Sequence, residues 1–159
     1  MADGTPNNTK AELLSGNIAL ETDTLRVALI NDTTAYSFDP DAHEFVADVL
    51  DSGTTASEFG GTGYSRLDLT GSAVAPDDAE DDADWTADNV EWSELDDETI
   101  QGAIVYKQVG GDDTTPADDP IVQVYDNDQG DLADFPLPTN GSGVVLQFSQ
   151  VDILSLEAV

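Results

Sequence analysis

Gly102-Ala103-Ile104-Val105-Tyr106-Lys107-Gln108-Val109 is the most β-prone run in the middle of this chain. It closes a segment, residues 85–109, that also holds both tryptophans, Trp85 and Trp92. β-Branched and aromatic residues suit a pleated, half-buried surface, whereas Asp96-Asp97-Glu98 between the two apolar pieces is poor strand material and reads as a connection. The segment predicts two antiparallel strands that supply much of a core. It offers no nucleophile–base pair, no cluster of soft metal ligands and no phosphate loop, so it suits a structural protein better than an enzyme.

The rest of the chain repeats the pattern of short apolar runs between turn residues. Residues 1–8 are polar and read as an extended N-terminal arm, and residues 9–159 as one domain. Thr9-Lys10-Ala11-Glu12 fits a capping box for a short helical turn ended by Gly16. Ile18 and Leu20 read as core strand positions, followed by a strand at Leu25-Arg26-Val27-Ala28-Leu29-Ile30. Asp39-Pro40 with acids behind it suits a helix start, and Phe45, Val46, Val49 and Leu50 share one face, so a helix of about two to three turns is expected there. Residues 52–63 read as a loop, and Tyr64, Arg66 and Leu67-Asp68-Leu69 as a strand. The acidic run over residues 76–84 should be a solvated loop or exposed edge. Residues 110–120 and 126–143 read as long connections around the strand Ile121-Val122-Gln123-Val124-Tyr125. Strands at residues 144–148 and 151–156 close the chain. With about eight strands, one short helix and no βαβ alternation, the expected fold is all-β, a β-sandwich or jelly roll.

Charge limits what such a body can do. The 34 acidic residues face only Lys10, Arg26, Arg66 and Lys107, for a formal net charge of -30. Self-repulsion of that size destabilises a compact state unless something screens it, and molar salt does so by cutting the Debye length to about 3 Å. Aspartate outnumbers glutamate and lysine is nearly absent, a composition that resembles proteins of extreme halophiles. Direct nucleic-acid binding is excluded by the same count, since four cations cannot neutralise a row of phosphates. A nucleic-acid mimic and a cation buffer are the rival readings of the charge. With no cysteine there are no disulfides or thiolate metal sites. No stretch has the apolar length of a membrane span and the first residues lack a secretory signal, so a soluble protein with no membrane partner is expected.

Several pieces taken together carry a resemblance. These are Asp23-Thr24-Leu25-Arg26-Val27-Ala28-Leu29, Asp41-Ala42-His43-Glu44-Phe45 with Asp48-Val49, Gly61-Thr62-Gly63-Tyr64, Val90-Glu91-Trp92-Ser93 and Ala103-Ile104-Val105-Tyr106-Lys107. In this order the chain resembles small structural virion proteins of tailed viruses of bacteria and archaea, β-rich and roughly 130 to 160 residues long, a size typical of one domain. Its aspartate load, heaviest in residues 76–84 and 110–119, departs from that pattern and suits a haloarchaeal host. The resemblance implies a non-enzymatic capsid decoration or turret protein, or else a tail component. The expected partners are further copies of itself, as a trimer, pentamer or hexamer, and the major capsid protein. The expected location is the virion, on the capsid exterior rather than the tail, after assembly in the host cytoplasm. The alternative is a tail-associated carbohydrate-binding module for host recognition.

No catalytic, cofactor or metal-ligating residue emerges. His43, the one histidine, lacks partners at fixed spacing and reads as a pin for its helix. Asp126-Asn127-Asp128-Gln129-Gly130-Asp131 begins like a calcium loop, but glycine is fifth rather than sixth and Leu137 takes the place of the closing glutamate. An irregular hard-cation site on Asp126, Asp128 and Asp131, or on Asp112-Asp113 and Asp118-Asp119, is the most this allows, for weakly held K, Na, Mg or Ca ions. Gly60-Gly61-Thr62-Gly63 has neither the lysine nor the helix of a phosphate loop and reads as a turn or subunit contact. Carboxylate pairs for glycoside hydrolysis occur everywhere in such a chain and discriminate nothing.

Overall fold

The computed structural model describes residues 4–31, 38–50, 56–78, 82–126, 135–148 and 154–155. Its first half contains α1 (Asn7–Ser15), β1 (Leu25–Asn31), α2 (Val46–Leu50), β2 (Ser57–Glu58), β3 (Leu67–Leu69) and β4 (Ala73–Asp77). The second half contains β5 (Asp82–Thr86), β6 (Val90–Leu95), β7 (Thr99–Ile100), β8 (Gly102–Lys107), β9 (Ile121–Asp126), β10 (Leu137–Pro138), β11 (Ser142–Leu146) and β12 (Leu154–Ser155).

Two apolar strands anchor the architecture. β1 and β8 pair antiparallel, Leu25 opposite Lys107 through Ile30 opposite Gly102, and both are buried almost end to end. A continuous apolar run rather than an alternating one marks a strand covered on both faces. Alternate residues divide accordingly. Leu25, Val27, Leu29, Ala103 and Val105 enter the larger core with Trp85, Trp92, Leu95, Phe135, Leu146 and Phe148. Ala28, Ile30, Ile104 and Tyr106 enter a smaller one with Val46, Val49 and Ala56. β9 flanks β8, and the other side of β1 is shared by β2 near Asn31 and β3 near Leu25. A bulge at the β8–β9 pairing leaves Val122 as the extra residue, so Ile121 and Val124, three apart, reach the same smaller core. The second layer consists of β11–β6, β10–β7 and β12–β5–β4, all antiparallel pairs. The result is an all-β sandwich with short helices at its rim.

Several expectations need correction. The two pieces of residues 85–109 do not pair with each other: β6 pairs with β11 in one layer, β8 with β1 and β9 in the other, and they meet through side chains across the core. Among the described residues there are two helices and twelve short strands, against one short helix and about eight strands expected. Thr9 is not an N-cap. It lies inside α1, whose N-cap is Pro6, and its buried hydroxyl donates to the Ile121 carbonyl. The arm expected over residues 1–8 is, from Gly4 on, tied down: Gly4 and Val124 exchange two backbone bonds of 3.0 Å, and Asn7 and Asn8 are helical. Ile18 is buried, but the chain around it turns and forms no strand. The helix expected over residues 39–50 is confined to α2, because the Phe45 backbone bridges to Pro120 and Asp48 reaches back to accept from the N–H of Phe45 at 2.8 Å. Ser57–Glu58, expected in a loop, is a strand on β1, and Tyr64 and Arg66 stand outside β3. The acidic run, by contrast, agrees in much of its length with the exposed edge expected of it: β4 pairs with β5 down to Asp77 opposite Asp82, and β4 lies at the edge of its sheet.

Gly61-Thr62-Gly63 makes a turn packed closely against the end of β6. Thr62 bridges to Asp96 at the end of β6. A Cβ on Gly61 would lie 2.1 Å from the Asp96 carbonyl oxygen and one on Gly63 2.0 Å from that of Glu94. Gly63 also has φ 83°, a left-handed conformation that costs other residues about 1–2 kcal/mol. Gly110 shares that conformation at φ 82° but has open space around it. Gly63→Ala should therefore lose clearly more urea resistance than Gly110→Ala, whose cost is the backbone term alone. Equal losses would mean that the close approach to Glu94 contributes nothing.

Candidate functional site

Chemistry-bearing side chains gather at one end of the central sheet, around the two arginines. In register across β3, β1 and β8 stand Asp68, Arg26 and Tyr106. The 110–119 loop lays Asp113 over them. Its carboxylate accepts from Arg26, from the Tyr106 hydroxyl at 2.7 Å and from Gln108 Nε2 at 2.8 Å. Arg66 enters from the segment before β3 and grips Glu58 with two parallel bonds of 2.7 and 2.8 Å, while its guanidinium lies 5.4 Å from the centre of the Tyr106 ring. Tyr64 donates to the same Glu58 at 2.7 Å and accepts from the Leu29 backbone N–H. A planar fork with five donors is what such bidentate, stacked geometry needs, and lysine would not supply it.

Electrostatics follows from this packing. The hydrogen bonds to Glu58 hold Arg66 more firmly protonated than usual against the opposing cost of burial. Burial pushes the hydroxyls of Tyr64 and Tyr106 upward, so both remain neutral donors. Burial works against the charge of Asp113, yet the bonds from Tyr106, Gln108 and Arg26 outweigh it and its carboxyl is held below the ordinary range. Asp113 thus adds stability above the usual carboxylate range and loses it as pH falls through its lowered value. Asp119 is the opposite case. It is the one buried carboxylate among the described residues; one oxygen accepts from the Val109 N–H at 2.7 Å and the other has no partner. Burial pushes its pKa up, so its cost to the fold grows as pH rises.

The remaining cations are also accounted for. Lys107 is held by Asp23 at 2.9 Å and by the Asn17 carbonyl at 2.7 Å. Lys10 alone is exposed, with Asn7 Oδ1 at 3.2 Å. Beside Lys107 opens a cleft of about 370 Å³, with Ile18, Phe45, Val109 and Pro120 as its apolar surface and Glu12 and Asp118 among its carboxylates.

Neither family models, curated proteins nor solved structures match this chain. Its function must be argued from the geometry itself.

The residues singled out from sequence do not converge on one site. His43 is buried, accepting from the Asp39 N–H at Nδ1 (3.0 Å) and lying 6.1 Å from the Phe38 ring, which pins the turn before α2. Asp128 and Asp131 lie outside the described residues, as does the Asp126 side chain. Asp113 is taken up by the arginine network, and Asp112 accepts from the Thr114 N–H and hydroxyl, both of which favour its charged form. Among the described residues no three acidic or histidine side chains are placed to hold a metal. The indole N–H groups of Trp85 and Trp92 donate inward, to Ser72 Oγ at 2.5 Å and the Ser65 carbonyl at 2.8 Å. Sequence reasoning missed the arginine network altogether. Its available signal was Arg26 inside an otherwise apolar strand, where a charge needs partners within reach.

Proposed function

We propose that this chain is a non-enzymatic structural virion protein: a capsid decoration or turret subunit of a halophilic tailed virus, assembling as a homo-oligomer and docking on the major capsid protein. The observation that carries the reading is where the cations are. Arg26, Arg66 and Lys107 are each engaged by carboxylates of the same subunit, which leaves Lys10 as the one exposed cation on a surface dominated by carboxylates. A body of this kind is suited to concentrated salt, where its exterior holds water and counter-ions and association rests on apolar contacts. The rigid sandwich and the resemblance described above favour a lattice-bound building block. The carbohydrate-binding alternative would call for an exposed aromatic platform, and among the described residues every aromatic is at least partly buried.

The test is the mass of the full chain by light scattering in about 2 M KCl, where screening is short-ranged. A discrete trimer, pentamer or hexamer is expected. A monomer under those conditions overturns the assembly reading.

A further inference from the structure

α1 presents different chemistry on its two flanks. At about 100° per residue, Lys10 and Leu14 share one stripe, while Asn8 and Glu12, which line the 370 Å³ cleft, lie roughly on the other side of the helix. Thr9, buried between them, fixes this orientation by donating to Ile121. Leu14 is 86% exposed, the most exposed large apolar side chain described, and the exposed cation Lys10 stands one turn before it. The cleft has the complementary character. Its apolar surface is Ile18, Phe45, Val109 and Pro120, Glu12 and Asp118 provide carboxylates, and the one cation in its lining, Lys107, is already paired with Asp23.

We propose that Leu14 of one copy seats in this cleft of the next copy, with Lys10 brought against the carboxylates Glu12 and Asp118. The inference rests on the homo-oligomeric reading above and specifies its contact. On a surface this anionic, two copies approach with least repulsion where one contributes a cation, and the Lys10 flank is the place that does so. A leucine side chain is well within the size of the cleft. Because knob and cleft lie on different sides of α1, the contact is head to tail: each copy uses one surface to give and another to receive, and a closing rotation makes a ring.

The experiment uses full-length variants in about 2 M KCl, read by light scattering, with circular dichroism as a check on folding. Leu14→Asp removes the knob at an exposed position, and Val109→Trp fills the cleft while leaving Leu14 intact. Each variant alone should be monomeric and folded. Mixed one to one they should form a heterodimer, since one intact knob and one intact cleft remain between them. Should Val109→Trp fail to fold, Asp118→Lys at the exposed rim replaces it, opposing Lys10 with like charge. If Leu14→Asp keeps the mass of an oligomeric parent, or the mixture stays monomeric, the head-to-tail contact is wrong while the oligomer stands. A monomeric parent overturns the oligomer and this contact together.

Discussion

Removing salt should unfold this protein. In about 2 M KCl near-UV circular dichroism should report Trp85 and Trp92 in fixed environments, and at 10 mM, where the Debye length reaches about 30 Å, that signal should largely vanish. The two indoles are 1% and 3% exposed, so they read tertiary packing rather than local structure. The cause is the charge of -30. Without screening, carboxylates that no internal cation reaches repel across the whole surface, and a net stability of only about 5–15 kcal/mol for a domain is readily consumed. If screening is the mechanism, NaCl and KCl at equal ionic strength should protect alike, and refolding should follow when salt is restored. A melting temperature unchanged between 10 mM and molar salt would remove the argument for solvent adaptation.

Arg66→Leu should be among the most damaging substitutions outside the apolar core. The Arg66 side chain is 14% exposed and that of Glu58 29%, and the arginine also supports the Tyr106 face. Losing the cation leaves Glu58 partly buried with, among the described residues, only Tyr64 donating to it, a situation that costs about 3–5 kcal/mol when a buried pair is broken from one side. Partial exposure places this pair near about 3 kcal/mol. For a slope of about 2 kcal/mol per molar urea, the midpoint should fall by about 1.5 M, measured in constant high salt. Arg66→Lys should recover less than half of this, because an ammonium cannot make the parallel bonds. The double variant Arg66→Leu with Glu58→Leu should be more stable than Arg66→Leu alone, since it removes the stranded charge. If the double variant is the worse of the two, the interaction is not the pair described here.

The strands that proved easiest to read were those whose local chemistry admits one answer. β1, β9 and β8 are apolar, β-branched runs between turn residues, and each lies where its sequence places it. The site was far less legible. Nothing local links Arg66 with Glu58 and Tyr106, or Arg26 with Asp113, because partners eight to 87 residues apart are brought together only by the tertiary arrangement of strands and loops. Asp119 looks like any other acid in its loop, and its burial follows from docking beside the end of β8. Two errors share one origin. Thr9 heads a good capping motif and Asp39-Pro40 a good helix start, yet tertiary bonds to Ile121 and Pro120 outweigh those preferences, as packing commonly outweighs local propensity.

By itself, then, the amino-acid sequence determined the all-β character, the position of the central strands and the anionic exterior. All three follow from residue type and short-range pattern, which need no knowledge of partners. Only the tertiary structure decided that Trp92 and Val105 sit on opposing layers rather than on paired strands, and that Gly61 and Gly63 pack closely against the end of β6. It also decided that three cations are engaged inside the subunit while Lys10 and Leu14 remain outside. Strand pairing is a choice among edges of similar intrinsic quality. That choice is made by which whole arrangement buries the apolar faces together and leaves the fewest charges unpaired.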